Sequence, residues 1–230
     1  MFRFFVRTLF GLLVVSMLYL VVCKWIFPPV TITQMGALFG GYGLKRDYVN
    51  WNEISPNVKL AALASEDQLF PDHDGFDWQA IEKSLDNQQS NKKKKRPAGA
   101  AASTISQQTA KNVFLWQGSG WNRYVRKVPE AFYTKMIEWI WGKKRILEVY
   151  LNVIEMGPGI FGIEAASRQY FHKSANSLSR QEAAMIIACL PNPKKFTVVP
   201  QSKRVKWRTP AIVRQMSLIE SDPDVQTLIH

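Results

Sequence analysis

Residues 54–75 read ISPNVKLAALASEDQLFPDHDG. Ser55 followed by Pro56 is a helix start: a serine hydroxyl can accept a backbone N–H of the first turn, and proline at the first helical position lacks only a donor that would have no partner there. The run VKLAALASED continues with helical composition. Similar signals recur along the chain, and helices are expected over 78–88, 104–114, 130–141, 145–153 and 162–171. Ser179-Arg-Gln-Glu182 is a capping box ahead of AAMIIACL, which Pro191 and Pro193 stop, and a last helix is expected over 203–220. Alternating strand patterns are scarce. The expected fold class is therefore mainly α.

Around this pattern, 230 residues at 47% hydrophobic and 21% charged are enough for one domain with a buried core and an appendage. Thirty Lys and Arg against eighteen Asp and Glu leave +12. Such a balance favours an anionic partner, whether nucleic acid, phospholipid or a phosphorylated substrate. Cys23 and Cys189 are the two cysteines, which excludes a disulfide-built scaffold, and the separated His73, His172 and His230 show no zinc spacing.

Thr8 to Cys23 carries no charge, and Trp25, Ile26 and Phe27 extend the apolar run past Lys24. A helix of that length matches a hydrocarbon core of roughly 30 Å. Residues 1–30 are read as a cytoplasmic stub and single membrane span ended by Pro28-Pro29, 31–50 as a juxtamembrane segment, and 51–230 as the functional domain. Arg3 and Arg7 before the span keep the N-terminus cytoplasmic, so the domain lies on the outer face and meets no nucleic acid. A cleaved signal peptide and a lipid-modified Cys23 are the rivals, but LVVCKWIFPPV has no small-x-small site and Val22 is bulky. Residues 1–24 hold three bases and no acid, so the rest keeps 27 bases against 18 acids, or +9. The run Lys92-Lys93-Lys94-Lys95-Arg96 reads as a solvated loop or as a contact with anionic lipid, within a mobile insert at about 86–102.

Three clusters carry chemistry. Glu66 closes the apolar helical run, where a carboxylate has little dipole support and apolar neighbours raise its pKa, as suits a general base near neutrality. An acid on a helix surface reads the same way. In Ser103-Thr104-Ile-Ser-Gln-Gln108-Thr-Ala-Lys111-Asn112, the residues Thr104, Gln108 and Lys111 share one helical face, fit for sugar hydroxyls and phosphate oxygens or simply for solvent. In Arg123-Tyr-Val-Arg126-Lys127-Val-Pro-Glu130, a helix starting at Pro129 puts Glu130 in a first turn, where the macrodipole favours its ionised form. A kinked continuous helix fits the sequence as well. Glu148 and Asn152 read as packing and interhelix hydrogen bonding, and GPGIFG as a tight turn into the next helix, with no strand ahead of it.

Taken in order, SEDQLFPDHDGFDW, STISQQTAKNVFL, RKVPEAF, KKRILEVYLNVIEMGPGIFGIEAASRQYFHK and LSRQEAAMIIACLPNPKKF resemble the monofunctional peptidoglycan glycosyltransferases, related to the glycosyltransferase domain of class A penicillin-binding proteins. The resemblance runs from about Trp51 to Pro200. It implies a lysozyme-like lobe beside a smaller membrane-facing jaw, and polymerisation of lipid II, a disaccharide-peptide on undecaprenyl pyrophosphate, at the inner membrane of a bacterial cell. Carried onto this chain, Glu66 deprotonates the acceptor 4-hydroxyl, which attacks the donor anomeric carbon with inversion. Glu130 assists departure of the lipid pyrophosphate, directly or through a divalent cation (Mg or Mn). No tightly bound cofactor or resident metal is implied. Lys111, Arg126 and Lys127 hold the pyrophosphate, while Ser103, Thr104, Gln108, Asn112 and His73 line the donor site. Asp67, Phe70 and Gly75 shape the Glu66 loop. Partners implied are lipid II, the growing strand, membrane lipids and other cell-wall synthesis and division proteins.

Two departures fall on the donor-side loop: Ala101 and Ala102 stand where the family has glycine, with Gly99 further upstream, and the lysine run is an insertion. Ser90-Asn-Lys-Lys93 matches a transpeptidase S-x-x-K, but no K-T-G follows and no transpeptidase domain is expected. A lytic transglycosylase or muramidase would leave the three bases without purpose, and a non-enzymatic basic membrane module would leave Glu66 without one.

Overall fold

The computed structural model describes residues 2–90, 103–117 and 121–230. The lysine run and the Gly99–Ala102 loop lie outside the described residues. In chain order come α1 (Phe2–Val22), α2 (Ile32–Phe39), β1 (Lys45–Arg46), α3 (Pro56–Glu66), α4 (Trp78–Ser90), α5 (Ile105–Phe114), α6 (Asn122–Ile140), α7 (Lys143–Val153), β2 (Glu155–Gly157), β3 (Ile160–Phe161), α8 (Ile163–Phe171), α9 (Arg180–Ile187), α10 (Lys203–Ile219) and α11 (Pro223–Ile229). The fold is mainly helical.

α3 begins as its sequence dictates, with the Ser55 hydroxyl accepting the Asn57 N–H and Pro56 in the first turn. Every side chain from Val58 to Ala64 is buried, so α3 is a central helix rather than an amphipathic one. α9, α10 and α11 pack against it, and the alanines of α3 and α9 allow close approach of backbones. A second group forms where α5 packs on α6 and α7. These two groups meet where the C-terminus of α3 faces the N-terminal turns of α5, which places Glu66 at their junction.

Two features depart from the expectations, and another decides between the two readings open at Pro129. α6 runs unbroken through Pro129. Packing against α5 carries the helix past a residue that forfeits one backbone hydrogen bond. Glu130 is therefore in a helix interior, and the first-turn dipole has no part in its charge. A small sheet of order β1-β3-β2 also forms, with Lys45 and Arg46 parallel to Ile160 and Phe161, and β2 antiparallel to β3. Gly157 thus ends β2, Pro158 and Gly159 turn the hairpin into β3, and Gly162 leads into α8. Finally, Thr31/Gln34 is a capping box for α2 and Asp222-Pro223 starts α11, two helices not expected from the sequence.

Among the described residues no helix is long and apolar enough to cross a membrane. The final turns of α1 dock on the domain. Trp141 Nε1 donates to the Leu20 carbonyl at 2.9 Å, Arg145 donates to the Cys23 carbonyl at 2.9 and 3.1 Å, and Tyr133 donates to Ser16 Oγ at 3.0 Å. Cys23 is buried in this contact, and both cysteines are free.

Candidate active site

Glu66 is the last residue of α3, and its partly buried carboxyl leaves the helix where two groups of helices meet. Ser65 Oγ donates to its Oε1 at 3.1 Å and Gln108 Nε2 donates to its Oε2 at 3.2 Å. Burial raises its pKa. The Gln108 and Ser65 hydrogen bonds and the Arg208 charge oppose that shift, while Asp67 adds to it. The outcome is a carboxyl moved towards neutrality, with donors ready for its ionised form.

The loop after Glu66 is tied to the start of α5. Asp67 is buried, and its carboxylate accepts His73 Nε2 at 3.0 and 3.1 Å and the Ile105 backbone N–H at 2.8 Å. The Gly75 N–H donates to His73 Nδ1 at 3.1 Å, so both ring nitrogens are engaged and Nε2 carries the proton. Thr104 caps α5 by accepting the Gln107 N–H, and its hydroxyl donates to the Gly75 carbonyl at 2.7 Å. Gly75 has φ +91, and a Cβ there would stand 2.7 Å from Thr134 Cγ2, so only glycine fits this point. Phe70 is fully buried beneath the loop with the Lys143 ammonium over its ring at 4.5 Å.

The basic shelf is built on α5 and α6. Arg126 Nε donates to Glu130 Oε2 at 3.2 Å, its Nη1 donates to the Trp116 carbonyl at 2.9 Å, and Lys127 Nζ donates to Glu130 Oε1 at 2.6 Å. Glu130 and Arg126 are buried, whereas the Lys127 side chain is 40% exposed. Lys111 completes the group. Burial lowers its pKa, Glu130 counters that, Arg126 and Lys127 lower it further, and Glu66 raises it. Lys111 thus feels both acids, and it joins the Glu66 loop electrostatically to the shelf.

Two cavities flank this centre. One of about 260 Å³ is lined by Ser65, Glu66, Asp67, Ser103 and Thr104 with Asp77. The other, about 360 Å³, is lined by Gln108, Lys111 and Asn112 with Tyr150, Glu155 and Lys194. Of the residues singled out in the sequence, Glu66, Asp67, Ser103 and Thr104 line the first cavity, and Gln108, Lys111 and Asn112 line the second. The polar groups of Thr104, His73 and Asn112 are spent inside the protein: the Asn112 amide donates to the Gln108 carbonyl at 2.9 Å and accepts from Gln117 at 3.1 Å. Glu148 and Asn152 pack as read. The Asn152 side chain clamps both backbone groups of Val49 at 2.9 and 3.0 Å, and Glu148 accepts the Trp51 N–H at 2.7 Å.

Comparison with known proteins gives the family of the chain. The family described as "Transglycosylase" matches residues 33–217. A protein named "Biosynthetic peptidoglycan transglycosylase" from Shigella boydii serotype 4 (strain Sb227) is 49% identical over 185 residues, 80% of this chain and 74% of that protein. Proteins of the same name from Escherichia coli ATCC 8739 and K12 / DH10B are 50% identical over the same extent. The chain belongs to the transglycosylase family. It is accordingly an enzyme of glycosyl transfer.

The candidate site also holds residues that the sequence reading missed. Tyr150, Glu155, Asn192 and Lys194 line the larger cavity, and Arg208 of α10 bears on Glu66. Tyr150 sits among buried helix residues, and nothing in its own surroundings marks it as close to a segment 42 residues earlier. LPNPKK carried a usable sign, since prolines just after a helix present backbone and lysine at an open edge.

Proposed function

We propose that this transglycosylase polymerises lipid II into peptidoglycan glycan strands. One observation supports the reading above others: Lys111 lies under the influence of Glu66 on one side and of Glu130, Arg126 and Lys127 on the other. A base and a cationic shelf joined in this way suit displacement of a pyrophosphate by a sugar hydroxyl. The relatives' name, biosynthetic, favours making glycan over cutting it.

In this mechanism Glu66, brought towards neutral pH by burial, takes the proton of the acceptor 4-hydroxyl. The freed oxygen attacks the donor anomeric carbon from the face opposite the leaving group, and the C–O bond to the lipid pyrophosphate breaks with inversion. Charge grows on the pyrophosphate as that bond lengthens. Lys111, at the larger cavity, and Lys127, held by Glu130, stabilise it there. Arg126 acts chiefly through Glu130, which keeps both cations in place by accepting from each. Ser103 and Gln108 face the substrate, while Thr104, Asn112 and His73 shape the donor site from behind. Both oxygens of Glu130 are already engaged, and among the described residues no three His, Cys, Asp or Glu side chains form a ligand set. No step is therefore routed through a metal ion.

The helical groups around Glu66 are read as a lysozyme-like lobe. The uncharged run Thr8–Cys23 is read as a single-pass anchor that brings the cleft to a polyprenyl substrate, N-terminus in the cytoplasm. Exposed Phe10, Leu12, Val15 and Leu18 on α1 support that reading. Labelled lipid II in detergent tests the function. Long glycan from the wild type and none from a folded Glu66→Gln is expected; soluble sugar fragments from purified glycan, or equal polymer from both proteins, would overturn it.

A further inference from the structure

The Tyr150 hydroxyl is fully buried in α7, yet it points at the catalytic face of α5: its oxygen lies 3.5 Å from Gln108 Oε1. The other end of the same amide is committed. Gln108 Nε2 donates to Glu66 Oε2 at 3.2 Å and approaches the Ser103 carbonyl at 3.4 Å. A glutamine has two ends with opposite chemistry, and each end selects a protonation state of the carboxyl it meets. With its NH₂ towards Glu66 it stabilises the carboxylate. Turned over, its carbonyl oxygen would accept from a protonated Glu66 and stabilise the neutral acid. We infer that Tyr150 is a positioning residue for this reaction, whose hydroxyl holds Gln108 Oε1 away from Glu66 and so keeps the base in its ionised, proton-accepting form.

This inference rests on the reading of Glu66 as the base. A buried hydroxyl needs a partner, and an amide oxygen without a donor would be free to seek one at Glu66. Burial, with the negative charges of Glu66 and Asp67, raises the Tyr150 pKa well above its ordinary value, so it remains a proton donor throughout the working range. The other groups facing Glu66 are Ser65 and Asp67 beside it, Lys111 from α5, Cys189 after α9 and Arg208 from α10. Ser65 and Arg208 also favour the carboxylate, whereas Asp67 opposes it. Among the described residues none of them hydrogen-bonds Gln108 Oε1, so Tyr150 directs the amide from its oxygen end, as the Ser103 carbonyl does from its nitrogen end.

The test is a titration of Glu66 itself in the full chain, by difference infrared or ¹³C-carboxyl spectroscopy assigned with Glu66→Gln. Two changes at position 150 act in opposite directions. Tyr150→Phe removes one oxygen, and the Glu66 midpoint should move to higher pH; 3-fluorotyrosine, a stronger donor of nearly the same size, should move it lower. On lipid II, Tyr150→Phe should lose roughly fivefold on the acid limb of the pH–rate profile, the equivalent of about one neutral hydrogen bond, with little loss above it. Midpoints unmoved by either change, or a uniform loss at all pH values, would overturn the inference. Absence of glycan from the wild type would instead remove the reading of function, and the spectroscopic midpoints would still decide the role of Tyr150.

Discussion

Asp67→Ala tests whether the Glu66 loop is held by the knot at the start of α5. The substitution removes a buried carboxylate and strands two donors: the Ile105 N–H, bound at 2.8 Å, and His73 Nε2–H, bound at 3.0 Å. Ile105 is fully buried and the His73 side chain is 10% exposed, so water replaces neither bond well. Each stranded donor costs about 1–3 kcal/mol, and loss of an anion at the first turn of α5 costs about 0.3–1 kcal/mol more. The sum is about 2–7 kcal/mol, a large part of a domain's typical stability. At about 2–4 °C per kcal/mol for a domain of this size, the melting point should fall by roughly 5–25 °C. Thermal unfolding in detergent, followed by circular dichroism, reads this directly. Asp67→Asn, which keeps one acceptor oxygen, should lie between the two. A fall of under about 1 °C for Asp67→Ala would refute the reasoning, because it would mean that neither donor depends on this carboxylate.

Other expectations follow from the same geometry. The polymerisation rate should be bell-shaped in pH: Glu66 must be ionised, so the rate climbs through its raised pKa, and Lys111 must be protonated, so the rate falls through its lowered one. A profile flat across both limbs would contradict these assignments. Lys111→Met should cost about 10²–10³-fold in kcat, as removal of a preorganised donor does, with Lys111→Arg recovering part of it; equal turnover by wild type and Lys111→Met would place the pyrophosphate elsewhere. Lys59 is buried, with its ammonium on the Ile229 carbonyl at 3.2 Å and over Trp51 at 3.9 Å, and its pKa is lowered to about 8, chiefly by burial. Between about pH 8 and the ordinary lysine value the unfolded chain binds a proton that the folded one does not, so Lys59 makes stability rise with pH there. The slope should flatten in Lys59→Met, measured as melting point against pH. Asn152→Ala, which leaves both backbone groups of Val49 unpaired, should destabilise by roughly 2–4 kcal/mol in denaturant unfolding without altering the pH profile.

The legible parts of this protein were those decided within a turn of the chain. Ser55-Pro56, Thr104 with Gln107, and Ser179 with Glu182 start helices where the sequence places them, because a cap needs only a side chain and an N–H two or three residues on. The same local rule holds at Thr31–Gln34 and Asp222-Pro223, where caps of this kind start α2 and α11. Glu66 at the end of an apolar helix was visible too, since burial along α3 and the absence of dipole support are properties of that segment alone.

Contacts between distant segments were decided by the tertiary structure. β1 and β3 are each two residues long, too short for any periodicity, and they exist because packing brings Lys45 beside Ile160. Pro129 reads as a boundary locally but lies inside α6, because the surface that helix buries outweighs one absent hydrogen bond. His73 and Thr104 look like ligand-facing residues in one dimension; in three, their polar groups also join two segments, Asp67 to His73 and Thr104 to Gly75. Tyr150 meets Gln108 across 42 residues of chain. Thus the residue types and the local helices follow from the sequence, because capping and burial patterns act over three or four residues. The orientation of Glu66, Gln108 and Glu130 follows from packing, because a hydrogen bond depends on where two atoms end up and not on how far apart they lie along the chain.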